Sequence, residues 1–250
     1  MMEKKMSDEL TIIITMAGVG SRFKKAGFSQ PKYMISVKGK TLFQWSMDSL
    51  LDFNKLDTKY IFVVNKNDGA RVFIEKNIKE YNIRNYTIVE LIEQTDGQAT
   101  SCFLALKECN ECSPILIYNI DTYIEPYKLR LEDISGDGFI PCFYGEGDHW
   151  SFVKTDNQQN VIEVREKVRI SNNCTIGAYY FKSANLYKDL YNEYYIKGGR
   201  YEMNERYIAP MYNLMLKRGD KVCICNIDSK FVHILGTPEE LRIFELGYEK

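Results

Sequence analysis

The sequence predicts an α/β protein with a Rossmann-like, mostly parallel mixed sheet flanked by helices. The β-branched run at Thr11–Thr15 is typical of a strand buried on both faces of a parallel sheet. Four strand patterns in the first half alternate with three helix patterns, and the later part of the chain holds several strands joined by short polar turns. With 250 residues, 45% of them hydrophobic, the chain is long enough to bury a sizeable core.

The elements of the first half follow from hydrophobic spacing. We predict strands at 11–15, 60–64, 86–92 and 114–118, and helices at 42–51, 70–81 and 98–109. Residues 17–30, between the first strand and the first helix, form a glycine-bearing loop. Because a helix pattern separates each of these strands from the next, the strands are expected to run parallel.

The second half has shorter, more closely spaced strands. We predict strands at 139–144, 151–154, 161–164, 175–181, 222–227 and 231–235, and helices at 186–195, 207–217 and 238–246. Thr237 suits the N-cap of the last helix and Pro238 its first position. No Pro- or Gly-rich linker divides the chain, so we expect one domain over 1–250, with halves at about 10–135 and about 136–250.

Composition limits the classes of partner and the compartment. The formal net charge of −1 gives no electrostatic reason to expect nucleic-acid or membrane binding. Residues 1–10 contain no apolar segment typical of a signal peptide, and no apolar run reaches the roughly 18 residues of a membrane span.

The seven cysteines include two close pairs, Cys109-x₂-Cys112 and Cys223-x-Cys225. The two pairs are too far apart in sequence to predict a zinc site. An odd set of thiols favours the reducing cytoplasm, and a homo-oligomer is compatible with the sequence.

The strongest chemical signal is the segment from Ala17 to Arg22, Ala-Gly-Val-Gly-Ser-Arg, followed by Pro31-Lys32. Its glycines let backbone N–H groups approach phosphates, while Arg22 and Lys32 supply two cations. The segment does not match the dinucleotide-binding fingerprint, because Phe23 occupies the position of its third glycine. It does not match a Walker A loop, because the Gly-Lys-Ser/Thr end of that motif is missing. From these residues alone, a phosphate loop and a flexible strand-to-helix turn both remain open.

Further stretches share the order of a known family. They are Asp96-Gly-Gln-Ala99, Ile115-Leu-Ile-Tyr-Asn-Ile-Asp121, Val164-Arg-Glu-Lys167, Thr175-Ile-Gly-Ala-Tyr-Tyr-Phe181 and Leu235-Gly-Thr-Pro-Glu-Glu-Leu241. Together with the glycine loop they resemble the sugar-phosphate nucleotidyltransferases, also called NDP-sugar pyrophosphorylases, across about 10–244. The resemblance implies an NTP-transferase domain, with a nucleotide-binding first half and an acceptor-binding second half.

The resemblance also implies roles for particular residues. The nucleotide-binding set is Ala17, Gly18, Gly20, Ser21, Gln94, Gly97 and Gln98. The catalytic set is Arg22, Lys32 and Lys167, and the acceptor-binding set is Glu166, Asn173 and Gly145. Asp121 is expected to bind Mg²⁺, the implied cofactor, which prefers oxygen ligands. Without the resemblance, the charges around Glu166 would indicate only a solvated charge run.

The chain departs from the family pattern at the second metal carboxylate. Counting back from Arg218-Gly219, the expected aspartate falls on Pro210, which cannot ligate through its side chain. We predict Glu205 as the replacement. Asn204, or Asp121 acting with phosphates and water alone, are the alternatives.

The function implied by the resemblance is transfer of NMP from a nucleoside triphosphate to a small phosphorylated substrate, with release of pyrophosphate. A sugar 1-phosphate is the expected acceptor, and a surface-polysaccharide precursor the expected product. One alternative is a cytidylyltransferase acting on choline phosphate or a phosphonate, and another is a non-catalytic nucleotide-sensing module. A glycosyltransferase is less favoured, since Asn119-Ile-Asp121 matches a DxD motif only in part. Gln94 and Gln98 both donate and accept hydrogen bonds, which leaves the base open.

Overall fold

The computed structural model describes residues 9–55, 57–199 and 205–248. Its strands are β1 (Thr11–Thr15), β2 (Ser36–Val37), β3 (Lys40–Thr41), β4 (Lys59–Asn65), β5 (Tyr86–Leu91), β6 (Ile115–Asn119), β7 (Thr122–Ile124), β8 (Gly138–Tyr144), β9 (Ser151–Thr155), β10 (Val161–Glu166), β11 (Asn173–Thr175), β12 (Ala178–Phe181), β13 (Val222–Asn226) and β14 (Val232–Ile234). Its α-helices are α1 (Ser21–Lys25), α2 (Leu42–Asp48), α3 (Arg71–Asn77), α4 (Gln98–Ala105), α5 (Ala184–Tyr191), α6 (Tyr212–Arg218) and α7 (Pro238–Gly247). Over these ranges no helix is long and apolar enough to span a membrane.

One ten-stranded sheet runs through both halves of the chain. Its order is β10-β9-β11-β8-β12-β6-β1-β4-β5, and β13 pairs with β8. The pairs β1–β4, β1–β6 and β4–β5 are parallel, whereas β12 runs antiparallel to both β6 and β8. The predicted fold class, a mostly parallel mixed sheet flanked by helices, is therefore confirmed.

The central strand β1 is buried on both faces. Ile12 and Ile14 belong to one hydrophobic cluster and Ile13 to the other, and all three side chains are fully buried. Since side chains alternate across a strand, a continuous apolar run is needed where both faces carry a layer of helices. This explains why the run at the start of the chain predicts its strand correctly.

The predicted strand 175–181 is wrong in one respect, because it is two strands. Gly177 separates β11 from β12 with φ of 80°, a left-handed conformation that favours glycine. A Cβ on Gly177 would lie 2.3 Å from Asn119 Nδ2, so the Asn119 side chain takes the space beside it. The backbone N–H of Asn119 also donates to the Gly177 carbonyl at 3.1 Å. The chain therefore changes direction where the end of β6 requires it.

Several predicted helices are shorter than their apolar pattern. Those at 42–51, 70–81 and 98–109 end their regular α-helix earlier, and 3₁₀ turns lie over or just beyond their last residues. The helix predicted at 186–195 becomes a π-helical segment at Asn192–Lys197. The helix predicted at 207–217 begins only at Ala209, as a 3₁₀ turn with Pro210 near its start.

The last helix is anchored by a small second sheet. β14 pairs antiparallel with β7, the strand that follows β6 directly, and the backbone N–H of Leu235 donates to the Asp121 carbonyl at 2.8 Å. Thr237 caps α7 by accepting from the Glu240 backbone N–H, and Pro238 occupies the first turn, as predicted. The start of α7 is thereby held beside the end of β6.

Gly177→Ala tests the turn between β11 and β12. We expect a loss of stability of about 1–3 kcal/mol, because a Cβ both strains the left-handed backbone and displaces Asn119. The measurement is the free energy of unfolding in urea. Gly219→Ala is the matched control, since Gly219 has φ of 81° but no atom within 4 Å of its Cβ position. Equal losses in the two variants would contradict a specific role for the Asn119 contact.

Candidate active site

The parallel strands end together at one edge of the sheet. The last residue of β1, Thr15, lies opposite Asn119 at the end of β6. The side-chain amide of Gln98, at the start of α4, donates to Thr15 Oγ1 at 2.9 Å and also to Asn119 Oδ1. Gln98 therefore ties α4 to two strand ends, and both bonds use its amide nitrogen rather than its amide oxygen. Open α/β sheets bind ligands at this edge.

The glycine loop lies between β1 and α1 at the same edge. Gly18 and Ser21 are exposed, Ala17 is half-buried, and Gly20 adopts φ of 60° directly before α1. The Cβ position of Gly20 is 3.6 Å from Lys32 Cβ, so the loop and Lys32 lie side by side. Arg22 is exposed on the first turn of α1, on the same short segment.

An ion pair joins the loops after β1 and β6. Lys32 Nζ lies 2.7 Å from Asp121 Oδ2, and the two side chains are 19% and 27% exposed. Asp121 also borders Gly236, whose Cβ position is only 3.1 Å from Asp121 Oδ2. The structure thus brings two predicted functional residues, 89 positions apart, into direct contact.

The predicted base-recognition turn is packed against a distant segment. Gly97 has φ of 146°, and its Cβ position lies 2.4 Å from the Arg206 carbonyl oxygen. The Arg206 N–H donates to the Asp96 carbonyl at 2.8 Å, its guanidinium pairs with the Asp96 carboxylate at 3.0 Å, and its carbonyl accepts from the Ala99 N–H at 3.0 Å. Gln94 is exposed just before this turn.

The predicted metal ligand Glu205 lies next to this turn. It directly precedes Arg206, and its side chain is exposed. Its alternative, Asn204, lies outside the described residues. In the described part of the chain, no group of three or more His, Cys, Asp or Glu side chains could hold a metal ion. Glu205 therefore stays a prediction.

Glu166 ends β10 within a row of buried hydroxyl groups. The Ser151 hydroxyl donates to Glu166 Oε2, and the Tyr179 phenol is hydrogen-bonded to Thr175 Oγ1 at 3.0 Å. Burial above all, and then the charge of Glu166, raise the pKa of Tyr179, so its phenol stays protonated and can donate.

Lys167 lies directly beyond this row. Its backbone has φ of 52°, an uncommon conformation for a residue other than glycine, and its N–H donates to the Trp150 carbonyl at 2.8 Å. Its Nζ donates to the Tyr207 hydroxyl at 2.5 Å. Tyr207 thereby fixes the direction of the ammonium group.

The other predicted acceptor residues, Asn173 and Gly145, border one cavity. Asn173 donates its amide to the Val153 carbonyl at 3.0 Å, and the Gly145 carbonyl accepts from Arg169 at 2.9 Å. Both line an open cavity of about 500 Å³. Thr155, at one end of β9, also lines this cavity, whereas Glu166 pairs with Ser151 at the other end. Asn173 and Glu166 contact β9 two residues apart, since Asn173 donates to Val153 and Glu166 accepts from Ser151.

Sequence reasoning missed several residues that position these groups. They are Thr15, Asn119, Ser151, Arg206 and Tyr207. Asn119 had a usable signal, because it ends a buried strand two residues before Asp121. Arg206 and Tyr207 had none, since their partners lie far away in sequence.

Comparison with solved structures supports the same family that the sequence motifs resemble. A nucleoside-diphosphate-sugar pyrophosphorylase from Vibrio cholerae is 34% identical, with a TM-score of 0.87 over 94% of this chain and 99% of its own. The chain belongs to the sugar-phosphate nucleotidyltransferase family. Its predicted family and its class as a nucleotidyltransferase enzyme are confirmed.

More distant structures share the fold of this nucleotidyltransferase. The inositol-1-phosphate CTP transferase from T. maritima is 15% identical with a TM-score of 0.72, covering 98% of this chain and all of the other. The CTP:phosphocholine cytidylyltransferase from Streptococcus pneumoniae is 18% identical with a TM-score of 0.70, covering 94% and 97%. No protein-family model and no curated protein matches the sequence.

Gly97→Ala tests the packing of the turn in this nucleotidyltransferase. A Cβ would overlap the Arg206 backbone and push it from the turn, so we expect nucleotide affinity to fall about tenfold, a loss of about 1.4 kcal/mol. Titration with fluorescent nucleotides measures the affinity. Gly69→Ala is the control, because Gly69 has φ of 59° and open space around its Cβ position. Wild-type affinity in Gly97→Ala would show that the contact with Arg206 does not shape the site.

Proposed function

We propose that this nucleotidyltransferase transfers the NMP part of a nucleoside triphosphate to a sugar 1-phosphate and releases pyrophosphate. The observation that carries the proposal is the Lys32–Asp121 pair, which lies beside the glycine loop at the carboxyl edge of the sheet. A cation and a carboxylate at this position suit a polyphosphate with a bound divalent metal. The relative from Vibrio cholerae supports a sugar phosphate as the acceptor.

The triphosphate is proposed to bind against the glycine loop. Backbone N–H groups around Gly18 and Gly20 donate to the phosphate oxygens without interference from a Cβ. Arg22 reaches the phosphates from its exposed place on α1. Lys32 turns its ammonium from Asp121 towards the phosphates, since lysine is a point charge on a flexible stem. Gly97, Gln94 and the amide oxygen of Gln98 are proposed to contact the base.

Asp121 is the proposed Mg²⁺ ligand. Its fit rests on a carboxylate oxygen at the edge of the sheet and on the space that Gly236 leaves beside that oxygen. When bound, Mg²⁺ would offset charge on the phosphates and help to orient them.

The acceptor phosphate is the proposed nucleophile. One of its oxygens bonds to the α-phosphorus while the bond to the bridging β-phosphate oxygen breaks, and pyrophosphate leaves with that oxygen. The phosphate oxygen is already anionic, so no general base is needed. Lys167, directed by Tyr207, holds the acceptor phosphate, and Glu166 accepts hydrogen bonds from acceptor hydroxyls. Asn173 and Gly145 are proposed to bound the more distant part of the acceptor.

The setting proposed for this reaction is the cytoplasm, in the supply of an activated precursor for a surface polysaccharide. The free state of all seven cysteines supports a reducing compartment.

Replacing Lys32 or Asp121 tests the proposed chemistry. We expect Lys32→Met and Asp121→Asn to lower kcat by about 100-fold or more, because each removes a charge that stabilises the transition state. Steady-state pyrophosphate release measures kcat, and circular dichroism checks the fold. Lys24→Met is the control, since Lys24 is an exposed lysine on α1 with no proposed role. Wild-type turnover in Lys32→Met would contradict the proposed catalytic role of Lys32.

A substrate panel tests the acceptor. We expect pyrophosphate release from one NTP with a sugar 1-phosphate in Mg²⁺ buffer. Release only with choline phosphate, inositol phosphate or a phosphonate would move the chain to the alternative cytidylyltransferase class. NTP binding without release from any acceptor would instead support a nucleotide-sensing module.

A further inference from the structure

We propose that Glu240 is the second carboxylate of the metal site, opposite Asp121 across Gly236. The proposal deepens the proposed function and rests on Mg²⁺ use by this site. It assigns to a residue of α7 the position for which the sequence predicted Glu205.

The first observation is a buried carboxylate oxygen without a hydrogen-bond donor. Glu240 Oε2 is shielded from solvent and has no hydrogen-bond partner among the described residues. A buried polar atom that lacks a partner is costly, and a buried carboxylate oxygen more so. Such an atom needs a specific reason to persist.

The second observation is the space that Glu240 shares with Asp121. The Cβ position of Gly236 lies 3.1 Å from Asp121 Oδ2 and 3.5 Å from Glu240 Oε2. Both oxygens therefore border one small volume, which any side chain at residue 236 would fill. Two carboxylates facing each other repel, and a cation between them converts that repulsion into attraction. Lys32 contacts the Asp121 oxygen but makes no ion pair with Glu240.

The third observation is that Glu240 does not perform its ordinary helix-capping role. In α2, Thr41 accepts from the Gln44 backbone, and the Gln44 side chain accepts in return from the Thr41 N–H. The same spacing recurs in α7, where Thr237 accepts from the Glu240 N–H at 3.2 Å. The return bond from the Thr237 N–H to the Glu240 carboxylate is not made. The carboxylate is turned towards Asp121 instead.

Comparison of Glu240 with the neighbouring Glu239 distinguishes metal binding from a general effect of the helix dipole. Both glutamates lie in the first turn of α7, where negative charge is favourable. Glu239 is exposed, whereas only Glu240 borders the space beside Gly236. Two carboxylates leave the remaining coordination positions to phosphate oxygens and water, as Mg²⁺ commonly requires.

The test is a titration of the full chain with Mn²⁺ in the absence of nucleotide. The electron paramagnetic resonance signal of the free ion measures how much Mn²⁺ is bound. We expect Asp121→Asn and Glu240→Gln each to raise the Kd for Mn²⁺ by about tenfold or more. Glu239→Gln is the control and is expected to bind Mn²⁺ as the wild type does, because Glu239 is exposed and does not border the shared space. Gly236→Ala is a second variant that keeps every carboxylate, and we expect it to weaken binding because its Cβ enters the shared space.

Three results would overturn the proposal. They are wild-type affinity in Glu240→Gln, a loss in Glu205→Gln instead, and a wild-type protein that binds no Mn²⁺. A changed melting temperature with unchanged Mn²⁺ affinity in Glu240→Gln would reduce Glu240 to a structural residue. Pyrophosphate release by the wild type is measured separately, so failure of the Glu240 assignment is distinguishable from failure of the proposed function.

Discussion

The parallel pairing of β1 with β4 and β6 is the constraint on which the candidate site depends. This register aligns Thr15 with Asn119 and brings the loops after both strands to one edge. Because side chains alternate across the sheet, a slip by one residue would move each isoleucine of β1 to the opposite face and lose its present packing. The hydrophobic core thus fixes the places of polar residues that contribute nothing to it.

The loops are then joined by polar contacts between residues far apart in sequence. The Lys32–Asp121 pair links the glycine loop to the end of β6, and Gln98 links both strands to α4. Because the groups involved are partly exposed to water, neither contact adds much to the stability of the fold. Their importance lies in position, since rigid strand ends hold charged groups more accurately than free loops do.

The second half of the chain supplies groups from three directions. β10 presents Glu166, the segment at 205–207 carries Arg206 against Gly97 and Tyr207 against Lys167, and the β7–β14 pair sets the start of α7 beside Asp121. A site assembled in this way can change the groups supplied by the second half without disturbing the strand ends. This agrees with a fold shared by enzymes whose described acceptors differ, among them inositol 1-phosphate and phosphocholine.

The sequence by itself determined the fold class, the positions of most strands, the capped start of α7 and the family. These follow from local periodicity, capping residues and short motifs, all of which act within a few residues. Only the tertiary structure decided that Gly177 breaks a strand around Asn119, that Lys32 meets Asp121, and that Lys167 meets Tyr207. It also placed Glu240 together with Asp121 beside Gly236. The physical reason is that these contacts join residues brought together only by sheet pairing and core packing, which no local pattern records.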